Sequence, residues 1–163
     1  MNKLLSVICA LFFSVSLQAF GSIGDIVIEG KIEKKNDGEQ YLLKASDFNK
    51  MSKSNIKTTT SWTDAGRQVN FEGVKVKDIL NLVGAHGSTL RMSALNDYWV
   101  DIPISDVNKY GIILANKMDG VGLRVRNFGP YFVIYPLDEH PTLLNSPLYL
   151  SRFIWQVNKI TVI

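Results

Sequence analysis

FEGVKVKDIL, residues 71 to 80, begins in the idiom of a strand and ends in that of a helix. Phe71-Glu72-Gly73-Val74 leads into Val76, Ile79, Leu80 and Val83, apolar residues at helical spacing, and Gly84 is a natural C-terminal stop. This is the one clear helix in the pattern. Around it the chain reads as short strands. Residues 25–32 and 41–44 are strand-like, parted by the turn chemistry of Lys34 to Gly38, and Ser46 is placed to cap a helical turn at Phe48. The Thr-rich run Asn55 to Ser61 reads as a further strand. Leu90 to Leu95 and Tyr98 to Ile104 flank Asn96-Asp97, a hairpin signal. Met92, Ala94, Tyr98, Val100 and Ile102 share one parity there, which predicts one buried sheet face.

Further on, Ser105 to Tyr110 predicts a helical turn. Residues 112–115 and 121–125 predict a second hairpin around Met118-Asp119-Gly120. Tyr131 to Tyr135, stopped by Pro136, predicts a central strand, Leu137 to Leu150 a long loop, and Phe153 to Val162 the last strand. Strands dominate and no βαβ rhythm appears, so the predicted class is α+β.

The first residues are of another kind. One lysine precedes an apolar run from Leu4 to Phe13, and small residues end at Ala19. That is the form of a secretory signal peptide, shorter than the ~20 apolar residues a membrane span needs. Cleavage is expected after Ala19, with Gly21 as the alternative, and the expected location is the periplasm of a Gram-negative bacterium. Loss of residues 1–19 leaves 144 residues carrying 17 basic and 15 acidic side chains, a net charge of +2. One domain fits that length, and the charge makes no case for nucleic acid. The single cysteine, Cys9, leaves with the signal. The mature chain then has no disulfide and no thiolate nucleophile or metal ligand.

Taken in order, several stretches resemble the molybdopterin-binding oxidoreductase domain of the sulfite oxidase family. They are Trp62; Phe71-x-Gly73-Val74-x-Val76-x-Asp78-Ile79-Leu80; Asn96-Asp97-Tyr98, where the family often reads Asp-Gly-Tyr; Ile102-Pro103; Ile113-Leu114-Ala115; Asp119-Gly120-x-Gly122-Leu123; Gly129-Pro130; and Trp155-x-x-x-Lys159-Ile160-x-Val162. The resemblance spans residues 25–163 and implies a mixed-sheet, sulfite-oxidase-like fold. It also implies where a cofactor would lie, and there the chain departs. The position of the family's molybdenum-ligating cysteine falls near Thr58, within TTTSW at residues 58–62. A threonine hydroxyl stays protonated at neutral pH and is a poor partner for a thiolate-preferring metal. Phe132 stands where the family commonly places an arginine. Molybdopterin remains a cofactor the resemblance allows; molybdenum is not expected.

Candidate binding residues are therefore Thr58, Trp62, Asn96, Asp97, Tyr98, Arg124 and Arg126. The hydroxyls of TTTSW are suited to donate hydrogen bonds to a ligand. Trp62 and Trp99 are suited to stack a flat ring, or to serve the core. Asn96-Asp97-Tyr98 is a turn first and a ligand contact second. Arg124 and Arg126, two apart on a strand with Lys117 nearby, would share a face and grip a phosphate or carboxylate. A solvated hairpin face is the more ordinary account of them. His86 and His140 are far apart and join no metal-binding spacing. These features point to an accessory module for a small anionic or heteroaromatic ligand or a membrane-bound partner. The alternative is a molybdopterin-dependent oxidoreductase without a cysteine ligand.

Overall fold

The helix read from FEGVKVKDIL is α2, Val76–Val83, and it buries Val76, Ile79, Leu80 and Val83 as the spacing predicts. Gly84 closes it at φ 63°, in the left-handed region where glycine carries no Cβ penalty. Gly73, in the preceding strand, is required for another reason: a Cβ there would run into the Leu114 carbonyl of the neighbouring strand. The ladder has an irregularity at this point, between Glu72 and Gly73. The computed structural model describes residues 22–163, so the expected signal peptide, residues 1–19, lies outside the described residues.

Ten strands form two sheets among the described residues. They are β1 (Ile26–Gly30), β2 (Tyr41–Leu43), β3 (Ser54–Thr58), β4 (Val69–Lys75), β5 (Thr89–Ala94), β6 (Trp99–Pro103), β7 (Ile113–Met118), β8 (Val121–Gly122), β9 (Phe132–Ile134) and β10 (Val157–Val162). One sheet runs β2-β1-β10-β5-β6, and the other runs β3-β4-β7-β8 with β9 also on β7. β1 and β10 are parallel, Val27 lying opposite Lys159 and Gly30 opposite Val162. A single continuous core joins the sheets to α2, with Phe48, Phe71, Phe132, Tyr135 and Phe153 fully buried. Each such side chain contributes about 1.5–3 kcal/mol by leaving water.

The structure corrects several boundaries. The helical turn at Phe48 is α1, Ala45–Lys50, which starts at Lys44 without a side-chain cap, so Ser46 is not its cap. The Thr-rich strand stops at Thr58 instead of Ser61. The Thr60 hydroxyl accepts the N–H groups of Trp62 (3.2 Å) and Thr63 (3.1 Å), which closes a turn that competes with the ladder. Tyr98 is 53% exposed although its parity neighbours Val100 and Ile102 are buried. It precedes β6 and follows Asp97, which at φ 65° turns the chain and breaks the alternation.

β9 is buried throughout but is not a central strand. It pairs with β7 on one side, and its other edge meets residues 154 and 155 through Val133 N–H to Ile154 carbonyl (2.9 Å). The expected long loop contains a 3₁₀ turn, Leu137–Glu139, and two short helices, α4 (Pro141–Leu144) and α5 (Pro147–Leu150). Pro141 and Pro147 start these helices, where a missing N–H costs nothing. The turn at Ser105 is α3, Ile104–Tyr110. The last strand is shorter than residues 153–162, because 153–155 serve β9 and the cavity described next.

Candidate functional site

Thr60 sets the site in motion. The turn it closes carries Trp62 off the end of β3 and onto the rings of Phe153 (centroids 5.5 Å apart) and Trp155 (5.8 Å, planes tilted 59°). Beneath them lies Phe132, 5.2 Å from Phe128 and stacked on it, 6.0 Å from Trp155 and 6.4 Å from Trp62. Beside these rings opens a cavity of about 370 Å³, lined by Trp62, Ala94, Asn96, Tyr98, Phe153 and Trp155 among others. That is the size range of small-molecule sites.

The structure brings Trp62, Asn96 and Tyr98 together in this cavity and leaves the other sequence-derived candidates outside it. Thr58 is fully buried. Its hydroxyl donates to the Thr59 carbonyl (3.2 Å) and accepts the Asp138 N–H (3.1 Å), so it faces protein and not a pocket. Asp97 and Trp99 line a separate hollow with Arg91, Ser93 and Lys159. There the Arg91 guanidinium lies 3.8 Å from the Trp99 ring centroid, so Trp62 and Trp99 do not flank one ligand.

Arg124 and Arg126 are not on a strand, since β8 ends at Gly122. The Asn127 side chain accepts the Arg124 N–H at 2.7 Å, taking the donor that a continued hairpin would use, and the chain turns there. The shared strand face on which the anion grip rested is therefore absent, although both arginines are exposed. Lys117 is engaged elsewhere, 2.8 Å from Glu72.

Residues missed by the sequence reading supply much of the cavity wall. Leu150, at the end of α5, and Ser151, Phe153, Ile154 and Trp155, between α5 and β10, all come from one stretch of chain. The signal was Trp155 itself, which the resemblance already places at the head of the last strand.

Around Trp155 the backbone is unusual. Asp97, Phe128 and Gln156 hold φ of 65°, 70° and 59°, a region that side chains other than Asn, Asp and Gly seldom adopt. Gln156 ties the three segments together. Its N–H donates to the Phe128 carbonyl (3.2 Å), its carbonyl accepts the Leu95 N–H (3.0 Å), and its side-chain amide donates to the Val125 carbonyl (2.7 Å). Strained backbone persists only where surrounding structure over-determines it, and such positions cluster at ligand sites.

A second buried polar group lies outside the cavity. Asp106 accepts from Arg152 (2.6 Å) and from the Tyr135 hydroxyl (2.9 Å). Burial pushes the Tyr135 phenol well above its ordinary range, with the Asp106 carboxylate adding to the shift, so Tyr135 stays a proton donor. Asp138 is held differently. Partial burial alone would raise its carboxyl, but hydrogen bonds from the Thr59 hydroxyl, Gln68 and the Thr59 N–H outweigh that and hold it below the usual carboxylate range.

The donor set does not fit the cofactor that the resemblance implies. Thr58 is sealed and doubly hydrogen-bonded, and Phe132 fills the arginine's place with a fully buried ring. No lysine, arginine or histidine lines the cavity to hold a phosphate. Among the described residues no three His, Cys, Asp or Glu side chains converge as a metal site, and no helix is long and apolar enough to cross a membrane.

No protein-family model and no curated protein matches the chain. Among solved structures it is similar to the sulfane dehydrogenase SoxCD from Paracoccus pantotrophus. The TM-score is 0.61 at 15% sequence identity, over 85% of this chain and 37% of that one. The chain thus spans a little over a third of the length of its neighbour. The likeness is one of fold, and the α+β architecture of one mixed and one antiparallel sheet is sulfite-oxidase-like, as the ordered motifs imply.

Proposed function

We propose that this protein is an exported, non-catalytic module that binds a small ring-bearing ligand in the cavity between Trp62, Tyr98 and Trp155. One observation carries the reading: an aromatic cavity furnished with uncharged polar groups opens in a sulfite-oxidase-like fold, while Thr58, where the resemblance puts a metal ligand, is a buried hydroxyl bonded to the Asp138 N–H. Function follows the site and not the fold. A wall without carboxylate, imidazole or cationic side chains suits recognition better than acid–base or redox work.

The test is direct. Protein from a molybdenum-replete host is analysed for metal and for released oxidised pterin, and its small-molecule contents are identified by mass spectrometry. The expected result is no stoichiometric molybdenum and a ring-bearing compound whose retention is abolished by Ser151→Trp, which fills the cavity from an exposed lining position. Near one molybdenum and one pterin per chain would overturn the reading in favour of an oxidoreductase. Export is tested separately: periplasmic protein should begin near Phe20, and mature protein that retains Met1 to Ala19 would contradict it.

A further inference from the structure

The cavity's side-chain nitrogens are donors. Among the described residues, neither the Trp62 nor the Trp155 indole N–H has a protein acceptor, and neither nitrogen is sealed from solvent. The Tyr98 hydroxyl likewise has no protein partner among the described residues. Asn96 spends its carbonyl oxygen on the Tyr98 N–H (3.3 Å), which leaves its amide N–H₂ to face outward chemistry. Ser151 already donates to the Leu148 carbonyl (2.7 Å). Two indoles, an amide and a phenol therefore present N–H and O–H groups, while the remaining wall of Ala94, Leu150, Phe153 and Ile154 is apolar. An indole N–H donates only, and the Asn96 carboxamide adds two further N–H donors beside its partly engaged oxygen.

We infer that the ligand is an uncharged planar ring system carrying ring-carbonyl acceptors. The inference rests on the ligand-binding reading above and narrows it. An aromatic body gains offset or edge-on contacts with Trp62, Trp155 and Phe153. Carbonyl oxygens on its rim satisfy the indole and amide donors, which a pure hydrocarbon would leave desolvated and unpaired at a cost. A phosphate or carboxylate finds no counter-charge on this wall. The wired, strained backbone of Asp97, Phe128 and Gln156 holds Trp155 and Tyr98 in place before the ligand arrives, so little ordering remains to be done on binding.

Three bicyclic probes of similar size separate the terms: quinazoline-2,4-dione, its 7-carboxylate, and quinoxaline, which lacks carbonyls. Binding is read by calorimetry and by quenching of tryptophan fluorescence. The dione is expected to bind at least tenfold more tightly than either of the others. Trp62→Phe and Trp155→Phe keep a ring and remove an N–H, and each is expected to weaken the dione by about 2- to 12-fold. Trp99→Phe, outside the cavity, is expected to change nothing and also shows which signal belongs to the site.

Equal affinity for dione and quinoxaline, or tighter binding of the carboxylate, with either signal lost in Ser151→Trp, overturns the ligand class while the binding reading survives. Binding of the dione that survives Ser151→Trp unchanged overturns the inference as well. No binding of any probe, together with an empty mass-spectrometric search of the native protein, overturns both.

Discussion

The backbone N–H of Asp138 donates to the hydroxyl oxygen of Thr58 across 3.1 Å, joining positions 80 residues apart in the chain. Thr59 adds two further bonds to the Asp138 carboxylate, from its N–H (3.0 Å) and its hydroxyl (2.6 Å). The position where the resemblance puts a metal ligand is thus the strand half of a clamp onto the 3₁₀ turn. Thr58→Val keeps the shape but leaves the Asp138 N–H without its acceptor. A loss of about 1–3 kcal/mol is expected, read by urea denaturation.

Thr58→Cys supplies the family's residue type at a fully buried site. In the processed chain it would be the only cysteine. The thiol is expected to resist an aromatic disulfide reagent in the native state and to react fully in denaturant, and the variant is expected to gain no molybdenum. Rapid native reaction would contradict the buried placement.

Acid should release the same clamp. The fold holds the Asp138 carboxyl below its ordinary value, so its contribution to stability is fully present above the usual carboxylate range and is lost as pH falls through that range toward the lower folded value. Asp138→Asn is expected to flatten the stability profile in that window, with denaturation midpoints measured from pH 6 down to pH 2 as the check. An unchanged profile would assign the acid sensitivity elsewhere.

Asp106 and Arg152 are both largely buried, at 8% and 12% side-chain exposure, and the Arg152 Nε has no partner among the described residues. Asp106→Ala would strand the guanidinium. The expected cost is about 3–5 kcal/mol, visible as a large drop in the thermal midpoint. A loss below about 1 kcal/mol would mean that Arg152 swings to solvent, which its packing against Tyr149 opposes.

Asp97 occupies, at φ 65°, the place where the family's motif often has glycine. Relief of the left-handed strain outweighs the extra unfolded-state entropy of glycine, so Asp97→Gly is expected to stabilise by up to about 1 kcal/mol, read by chemical denaturation. Destabilisation would mean that the carboxylate contributes more to the turn than its backbone costs.

How far the sequence could be read divides along physical lines. α2, the β5–β6 hairpin and the buried parity of Met92, Val100 and Ile102 were legible because burial imposes a period on local sequence. Trp62, Asn96 and Tyr98 were legible as candidates by residue type and turn chemistry. Their meeting with Trp155 was not, because it depends on the Thr60 turn and on the Gln156 knot, neither of which has a period. Arg124 and Arg126 misled for a related reason. Strand propensity runs on through Val125, and only the Asn127 side chain, reaching back three residues, ends the ladder. The Leu137 to Leu150 segment looked like loop because each of its helices is one turn long, too short to show helical spacing.

The parallel pairing of β1 with β10 has a consequence for how the molecule is made. The first and last strands meet at the middle of one sheet, with β2 outside one and β5-β6 outside the other. Synthesis from the N-terminus leaves Ile26–Gly30 without its inner neighbour until Val157–Val162 emerges. Half of the architecture is thus held in suspense for more than a hundred residues. Pairing at such sequence separation is intrinsically slow, and in the interval the unpaired edge of β1 is open to adventitious strands. A nascent chain of this topology gains from being kept unfolded until it is whole.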